Sequence, residues 1–239
     1  GYDAKLLARE AEAQPVIHIA RDDRRAEAMR QALAVLAPGL TVLDFPAWDC
    51  LPYDRASPNP EIASRRMSTL AALVAGIPGN FVLLTTLSAA TQRLPARDLI
   101  AGASFSAHVG ARVDEAHLKV FLSRMGFSPV STVAEPGDYA IRGGIVDIWP
   151  PGEMGPVRLD FFGDMLDGLR RFDPLTQRTT EKLQAIDLAP MSEVLLDEAS
   201  ITRFRQNYRI EFGAAGSDDP LYEAVSAGRK HQGMEHWLP

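Results

Sequence analysis

The residues of this chain that could perform catalysis or bind a metal are few and do not combine into a site. Cys50 lies in a turn with no base close to it in sequence, so we interpret it as a packed thiol. His18 lies in an apolar, strand-like run and is expected to be a core histidine. His108 and His117 have no cysteine or second histidine at the spacing of a zinc site, and His231 and His236 lie near the end of the sequence. The sequence therefore predicts no catalytic centre, no metal site and no cofactor.

Phosphate-binding loops are also missing. A GxxxxGK[ST] loop would place backbone N–H groups around a phosphate and a lysine against its outer oxygens, but the chain contains neither this pattern nor GxGxxG. Lys5 is the only lysine before Lys119, and no glycine loop precedes it. Asp44 ends an apolar run and could imitate a metal-holding aspartate, but strand-end aspartates are common and we favour a structural role. Nucleotide hydrolysis by this chain is not expected.

One strand-like segment, Val157–Phe162, carries residues suited to binding another protein. Its alternation sends the apolar odd-numbered residues to one face and Arg158, Asp160 and Phe162 to the other. An exposed aromatic beside an arginine is typical of a protein–protein hot spot. The alternation is equally compatible with a Phe162 covered by a loop and an Arg158 paired with Asp160 or another carboxylate. Arg142 would extend the strip if its own strand pairs with this segment.

Composition and charge narrow the class of protein. The 239 residues are 46% hydrophobic and 23% charged, which is typical of a globular protein. The net charge is −6, and the basic and acidic residues number 11 and 11 before Ser104, 9 and 12 up to Asp187, and 5 and 8 from Leu188 onward. No segment has the positive excess that non-specific nucleic-acid binding requires. A single cysteine, no signal-peptide pattern and no membrane-length apolar run predict a reduced, cytoplasmic protein without membrane contact.

The first hundred residues show alternating strand and helix patterns. Short apolar runs of buried-strand length occur at Val16–Ala20, Val42–Phe45 and Phe81–Thr86. Amphipathic helices are predicted between them, at Asp22–Ala37 and Glu61–Ala75. This order implies an α/β fold with a parallel, doubly wound sheet.

The pattern changes after Gly110. An amphipathic helix, Asp114–Met125, is followed by strands and turns up to about Leu188, which predicts a helix packed on an antiparallel sheet. A tryptophan at position 237 of 239 suggests a piece cut from a longer protein. The predicted strands are Val130–Ala134, Tyr139–Trp149, Val157–Phe162 and Gly168–Phe172, and the last fifty residues contain predicted helices at Glu198–Tyr208 and Leu221–Ala227.

Several long motifs resemble those of the bacterial transcription-repair coupling factors, the Mfd family. They occur in the family's order and spacing over essentially the whole chain, which makes the resemblance specific. The motifs are FPAWDCLPYDRASP (45–58), SRRMSTL (64–70), TTLSAATQR (85–93), GDYAIRGGIVDIWP (137–150), RLDFFGD (158–164) and FDPLTQR (172–178).

The resemblance is to the N-terminal module of this family, which is itself similar to the damage-recognition protein UvrB. It implies a degenerate RecA-like domain, residues 1–103 and 188–239, whose second part is truncated. Residues 104–187 would be an inserted α+β domain that binds UvrA. The phosphate loop and the DNA-clamping hairpin of UvrB are lost in this module, in agreement with the missing lysine–glycine pattern and basic patch. By motif match, the family's UvrA-contacting residues fall on Arg142, Arg158 and Phe162.

The resemblance implies a non-catalytic module that recruits UvrA in transcription-coupled nucleotide excision repair. Downstream domains of the parent bind RNA polymerase and move on DNA with ATP, and the parent's C-terminal domain masks the UvrA surface. A chain without that domain is expected to bind UvrA constitutively. Two other functions stay open: a nucleotide-hydrolysing motor fragment, and a UvrB-like protein that binds damaged DNA.

Overall fold

The first hundred residues of the computed structural model form a parallel sheet with helices on both sides. The structure describes residues 1–51, 54–213 and 218–237. In chain order this part contains α1 (Tyr2–Ala13), β1 (Val16–Ala20), α2 (Asp23–Leu36), β2 (Thr41–Phe45), α3 (Pro60–Ala75), β3 (Phe81–Thr86), α4 (Leu87–Ala90) and α5 (Arg97–Ala101). The strands lie in the order β1-β3-β2 and all run parallel, as the strand–helix alternation predicted.

Local sequence signals set the ends of these helices. The Asp22 side chain accepts a hydrogen bond from the Arg25 backbone N–H at 2.8 Å and caps α2, as one of the two predicted caps. Asn59 caps α3 in the same way, with Pro60 in its first turn. α3 ends at Gly76, whose positive φ of 86° suits glycine. The helix α1, which the sequence patterns did not predict, packs against α2 and β3.

The middle of the chain forms a second, mainly antiparallel sheet covered on one side by a helix. Its elements are β4 (Phe105–His108), α6 (Glu115–Arg124), β5 (Ser128–Pro129), β6 (Asp138–Arg142), β7 (Ile145–Ile148), β8 (Val157–Phe162), β9 (Met165–Phe172), β10 (Thr179–Lys182) and β11 (Ala185–Leu188). Six of these strands lie in the order β10-β9-β8-β7-β6-β5, with only β5 and β6 parallel. β4 pairs with β11, so this part of the chain begins and ends in one two-stranded ladder. The predicted helix on an antiparallel sheet is confirmed.

Two details of the predicted strands are wrong. The strand predicted at Val130–Ala134 is absent, because the Asp138 carboxylate accepts hydrogen bonds from the backbone N–H groups of Ala134 and Glu135 and bends the chain there. The strand predicted at Tyr139–Trp149 is two strands, β6 and β7, joined by a turn at Gly143 with φ of 59°. β7 therefore lies between β6 and β8, and Arg142 is not on the direct neighbour of β8.

The last fifty residues are helical, as predicted. They contain α7 (Glu198–Phe212), α8 (Pro220–Ser226) and a 3₁₀ turn at Met234–His236. Their apolar side chains form a separate cluster, to which both helices and the 3₁₀ turn contribute. Within the described ranges no helix combines the length and apolar character that a membrane crossing needs.

A buried ion pair joins the α3 helix to the segment before α7. Arg66 is fully buried, and its guanidinium donates to both carboxylate oxygens of Glu193 and to the backbone oxygen of Pro46. It also stacks over Phe45, with its central carbon 4.1 Å from the ring centre. Trp48 donates its indole N–H to Glu193 at 3.0 Å. These contacts fix the chain after β11 against the parallel sheet.

Candidate protein-binding surface

The six-stranded sheet has one buried face and one open face. On the inner face, apolar residues such as Val146 and Leu159 pack with Leu118 and Leu122 of α6 in a single core. The cross-strand register places the other set of side chains on the opposite side, which we call the outer face. The outer face carries Arg142 on β6, Asp147 on β7, Arg158, Asp160 and Phe162 on β8, Met165, Arg170 and Phe172 on β9, and Lys182 on β10.

Phe162 is the most exposed aromatic side chain of this sheet. It lies at the end of β8, before a turn at Gly163 with φ of 63°, and is 82% exposed. Met165, directly across from it on β9, is 41% exposed. Phe161 points the other way and packs against the inner core, half-buried. The opposite orientations predicted for Phe161 and Phe162 are confirmed, and the alternative in which a loop covers Phe162 is wrong.

Asp147 holds two arginines of the outer face, Arg142 and Arg158, together. Its side chain is 1% exposed, although it is a carboxylate. Arg158 donates to both of its oxygens, from Nε at 2.6 Å and from Nη2 at 2.8 Å, and Arg142 adds a bond from Nη2 at 2.8 Å. Two cations and three hydrogen bonds offset the cost of burying this charge. Arg142 and Arg158 thus meet through Asp147, although β7 separates their strands.

Arg158 is less accessible than its strand position suggested. Its side chain is 19% exposed and its guanidinium stacks on the buried Phe172, 4.5 Å from the ring centre. Its Nη2 also donates to the Gln177 side-chain oxygen at 3.0 Å. The hydrogen bonds that Arg158 donates to Asp147 raise the pKa of Arg158, so the guanidinium stays charged. The predicted alternative, in which Arg158 pairs with a carboxylate, is confirmed, and that carboxylate is Asp147 rather than Asp160.

Gln177, the acceptor for Arg158, has a strained backbone. It has φ of 59°, the one non-glycine residue with positive φ in the described part of the chain. Its backbone N–H donates to the Asp173 carbonyl and its side-chain amide donates to the Pro174 carbonyl. These two hydrogen bonds within the turn hold Gln177 at positive φ. Strain of this kind concentrates at functional sites. The motif FDPLTQR thereby supplies a hydrogen-bond acceptor to Arg158 of the outer face.

The charge of the outer face differs in sign from that of the whole chain. Arg142, Arg158, Arg170 and Lys182 face Asp147 and Asp160, so four cations meet two anions on a chain whose net charge is −6. Arg142 is half exposed, and its hydrogen bond to Asp147 comes from Nη2. The arrangement can bind an acidic surface that also accepts an aromatic ring.

The other candidate residues form no comparable site. The Cys50 thiol lies 3.7 Å from a ring nitrogen of His236, but burial, followed by the charges of Asp49 and Glu235, raises its pKa and keeps it protonated. Asp44 accepts a charged hydrogen bond from Arg65, which agrees with the structural role that we favoured. His18 is half-buried rather than part of a core. Among the residues that the structure describes, no three His, Cys, Asp or Glu side chains are grouped to hold a metal.

The carboxyl end of β1 is the place where an α/β sheet of this kind would bind a phosphate, at the N-terminus of the following helix. Here the Asp22 carboxylate takes that position and accepts the Arg25 backbone N–H. This bond, with the neighbouring Arg21 guanidinium, lowers the pKa of Asp22 and keeps it negatively charged. A negative charge at the helix N-terminus opposes phosphate binding.

Comparisons with known proteins agree with the motifs. Residues 105–194 match the family model described as the UvrB interaction domain. The chain is 36% identical to the transcription-repair-coupling factor of Escherichia coli over 99% of its own length and 20% of the relative's. The corresponding protein of Haemophilus influenzae is 36% identical over 91% of this chain and 19% of the relative, and that of Rickettsia bellii is 32% identical over 94% and 20%. The chain thus spans about one fifth of the length of these relatives. The resemblance seen in the motifs is confirmed.

Sequence reasoning missed several residues of the outer face, among them Asp147, Met165 and Arg170. Asp147 is a lone carboxylate within the apolar stretch Ile145–Trp149, a signal that a buried ion pair was needed. Arg170 and Met165 could not be assigned to this face, because a β-bulge between Asp160 and Phe161 shifts the register of β9.

Proposed function

We propose that this chain is the UvrA-recruiting module of a transcription-repair coupling factor and that it catalyses no reaction. It would act in the cytoplasm, in transcription-coupled nucleotide excision repair. The observation that carries the proposal is the outer face, where an uncovered Phe162 lies beside the paired Arg142 and Arg158. This face belongs to the part of the chain that matches the UvrB interaction domain.

We assign UvrA docking to an inserted domain at residues 104–187. The ladder of β4 with β11 supports these boundaries, because the chain enters and leaves the sheet there. Residues 1–103 and 188–239 would form the degenerate RecA-like body, held together by the Arg66–Glu193 pair. In the complete protein, the C-terminal domain would mask the outer face, and RNA polymerase and DNA would contact other domains.

The two other functions have less support. A nucleotide-hydrolysing fragment would need a phosphate site, and Asp22 occupies the helix N-terminus where that site would lie. A UvrB-like DNA-binding protein would need a basic surface, and the acidic balance of each segment opposes it.

Binding of the chain to purified UvrA tests the proposal. We expect Phe162→Ala to weaken binding by about 2 kcal/mol, roughly thirtyfold, because an exposed aromatic anchor is removed. Arg142→Ala should also weaken it, in a salt-dependent way. Tyr2→Ala is the matched control, since Tyr2 is an equally exposed aromatic residue, 80% exposed, on α1. An unmodified chain without UvrA affinity, or a Phe162→Ala variant that binds like the parent, would contradict the proposal.

A further inference from the structure

The outer face continues from β8 onto β9 with the same chemistry. The register pairs Arg158 with Arg170 and Phe162 with Met165. Directly paired residues lie about 4.5–5.5 Å apart at their Cβ atoms. Each of the two β8 residues assigned to UvrA docking therefore has a cross-strand neighbour of its own kind, a cation beside a cation and an apolar side chain beside an apolar one.

The side chain of Arg170 is more exposed than that of Arg158. Its side chain is 42% exposed, against 19% for Arg158. Among the described residues its hydrogen bonds go to Asp160 alone, from Nη2 at 2.7–2.8 Å. Its Nε is buried with no partner, and no contact of the described residues uses its Nη1. Nη1 is thus the group of Arg170 that is available to a second carboxylate, whereas the buried Nε is not.

Two arginines opposite each other on neighbouring strands would normally repel. The fold accommodates them because each has its own carboxylate, Asp147 for Arg158 and Asp160 for Arg170. The two internal acids leave the face with two cations in excess, because Lys182 on β10 lies directly across from Arg170. Acidic groups on a docked protein would balance this excess.

Met165 enlarges the apolar part of the same surface. It lies across from Phe162 at the turn that closes the hairpin, and both side chains are exposed. A methionine thioether is flexible and polarizable, and it adapts to the shape of a partner. An aromatic ring flanked by methionine forms a wider anchor than the ring alone.

We infer that the UvrA-docking surface includes β9, with Arg170 as a contact for an acidic group of the partner and Met165 as part of the apolar anchor. This inference rests on the proposed function, because it extends the surface of Arg142, Arg158 and Phe162. The partner surface must then present carboxylates to Arg170 and Arg142 and a pocket for Phe162 and Met165.

The test is binding of the full chain to purified UvrA at several salt concentrations. We expect Arg170→Ala to weaken binding about five- to tenfold and to reduce its dependence on salt, since one charged contact is lost. Arg170→Lys keeps the charge and should recover part of the affinity. Arg171→Ala is the matched control, because this neighbouring arginine lies on the other side of β9 and pairs with Glu153 and Glu181. It should bind like the parent.

Met165→Ala should weaken binding about three- to fivefold. Its control is Met154→Ala, a methionine that is 94% exposed in the connection between β7 and β8, at the opposite end of β8 from Phe162. Thermal unfolding of each variant shows whether the fold is retained, and only folded variants are compared.

The outcomes separate this inference from the proposed function. If Phe162→Ala loses affinity while Arg170→Ala and Met165→Ala bind like the parent, the docking surface stops at β8 and only the inference is overturned. If the unmodified chain has no affinity for UvrA, the proposed function and the inference both fail. Loss of affinity in Arg171→Ala equal to that in Arg170→Ala would also overturn the inference, because the effect would not depend on the outer face.

Discussion

The carboxyl edge of the parallel sheet and the outer face of the six-stranded sheet are both places where proteins of these architectures bind ligands. At the parallel sheet, Asp22 caps the helix after β1 and Arg65 pairs with Asp44 at the end of β2. At the outer face, Arg142 and Arg170 are paired but their side chains are about half exposed, and Phe162 is uncovered. At the parallel sheet the chain's own side chains pair with the polar groups that a ligand would use. At the outer face, exposed side chains are left to contact a partner.

The difference lies in how each region uses carboxylates. Asp22 replaces a ligand, because it occupies the helix N-terminus with its own negative charge. Asp147 does the opposite, because it is buried beneath two arginines and directs their remaining donors outward. A carboxylate therefore blocks ligand binding at the parallel sheet, whereas a carboxylate positions the arginines for binding at the outer face.

The largest expected effect is on Asp147. Asp147→Ala removes the acceptor of three hydrogen bonds and leaves Arg158 charged and mostly buried. Breaking a buried ion pair in this way costs about 3–5 kcal/mol of folding stability, measured by urea unfolding. Glu10→Ala is the control, since its exposed pair with Arg9 at 3.8 Å should be worth less than about 0.5 kcal/mol. Equal stability losses in the two variants would mean that the buried Asp147 ion pairs contribute no more to stability than an exposed ion pair.

Arg142 and Arg158, the two partners of Asp147, should differ in how much each contributes to folding stability. Arg158→Ala uncovers Phe172 and leaves Asp147 with one partner, so we expect a loss of about 2 kcal/mol. Arg142→Ala removes a half-exposed side chain and should cost less than about 1 kcal/mol. Urea unfolding of both variants, followed by UvrA binding, separates folding from contact. A stability loss of the same size in both would refute the distinction.

Phe161 and Phe162 provide a comparison within one strand. Phe161→Ala removes a half-buried side chain from the inner core and should cost about 2 kcal/mol, below the 3–5 kcal/mol of a fully buried phenylalanine. Phe162→Ala creates no cavity and should leave the thermal midpoint unchanged. Differential scanning calorimetry of the two variants measures this. If the two exchange these effects, the orientation of β8 is wrong.

Period-two alternation was sufficient to predict the faces of Phe161 and Phe162, because successive side chains of a strand point to opposite faces of the sheet and only one face is buried. It could not predict that Arg158 would be largely buried, since Phe172 and Gln177 come from residues ten or more positions away. The parallel sheet followed from the spacing of strands and helices. The position of β7 between β6 and β8 depended on a two-glycine turn that lies within an apolar run.

The motif match assigned Arg142, Arg158 and Phe162 together, although their exposures are 51%, 19% and 82%. Their assignment to UvrA docking stays a prediction. The structure adds a physical ranking: Phe162 and Arg142 are free to contact a partner, and Arg158 acts mainly by holding Asp147 and covering Phe172. The pattern of one strand does not reveal this ranking, because the ranking depends on contacts among four strands, β6 to β9.

The smallest expected effect concerns Asp22. Its pKa in the folded chain lies below the ordinary value of about 3.9, because the Arg25 backbone N–H and the Arg21 guanidinium stabilise the charged form. Its contribution to stability is therefore complete above pH of about 4 and is lost as the pH falls through the lower folded-state pKa. Asp22→Asn keeps a side-chain oxygen for the cap but cannot titrate. We expect the thermal midpoint of the parent to fall more steeply below pH of about 4 than that of this variant.

If the closed site at the parallel sheet depends on more than this charge, Asp22→Asn should also show no ATP affinity by calorimetry, since no lysine or glycine loop is present to hold the phosphates. Micromolar ATP binding by either protein would reverse the comparison between the two regions and favour a nucleotide-binding fragment.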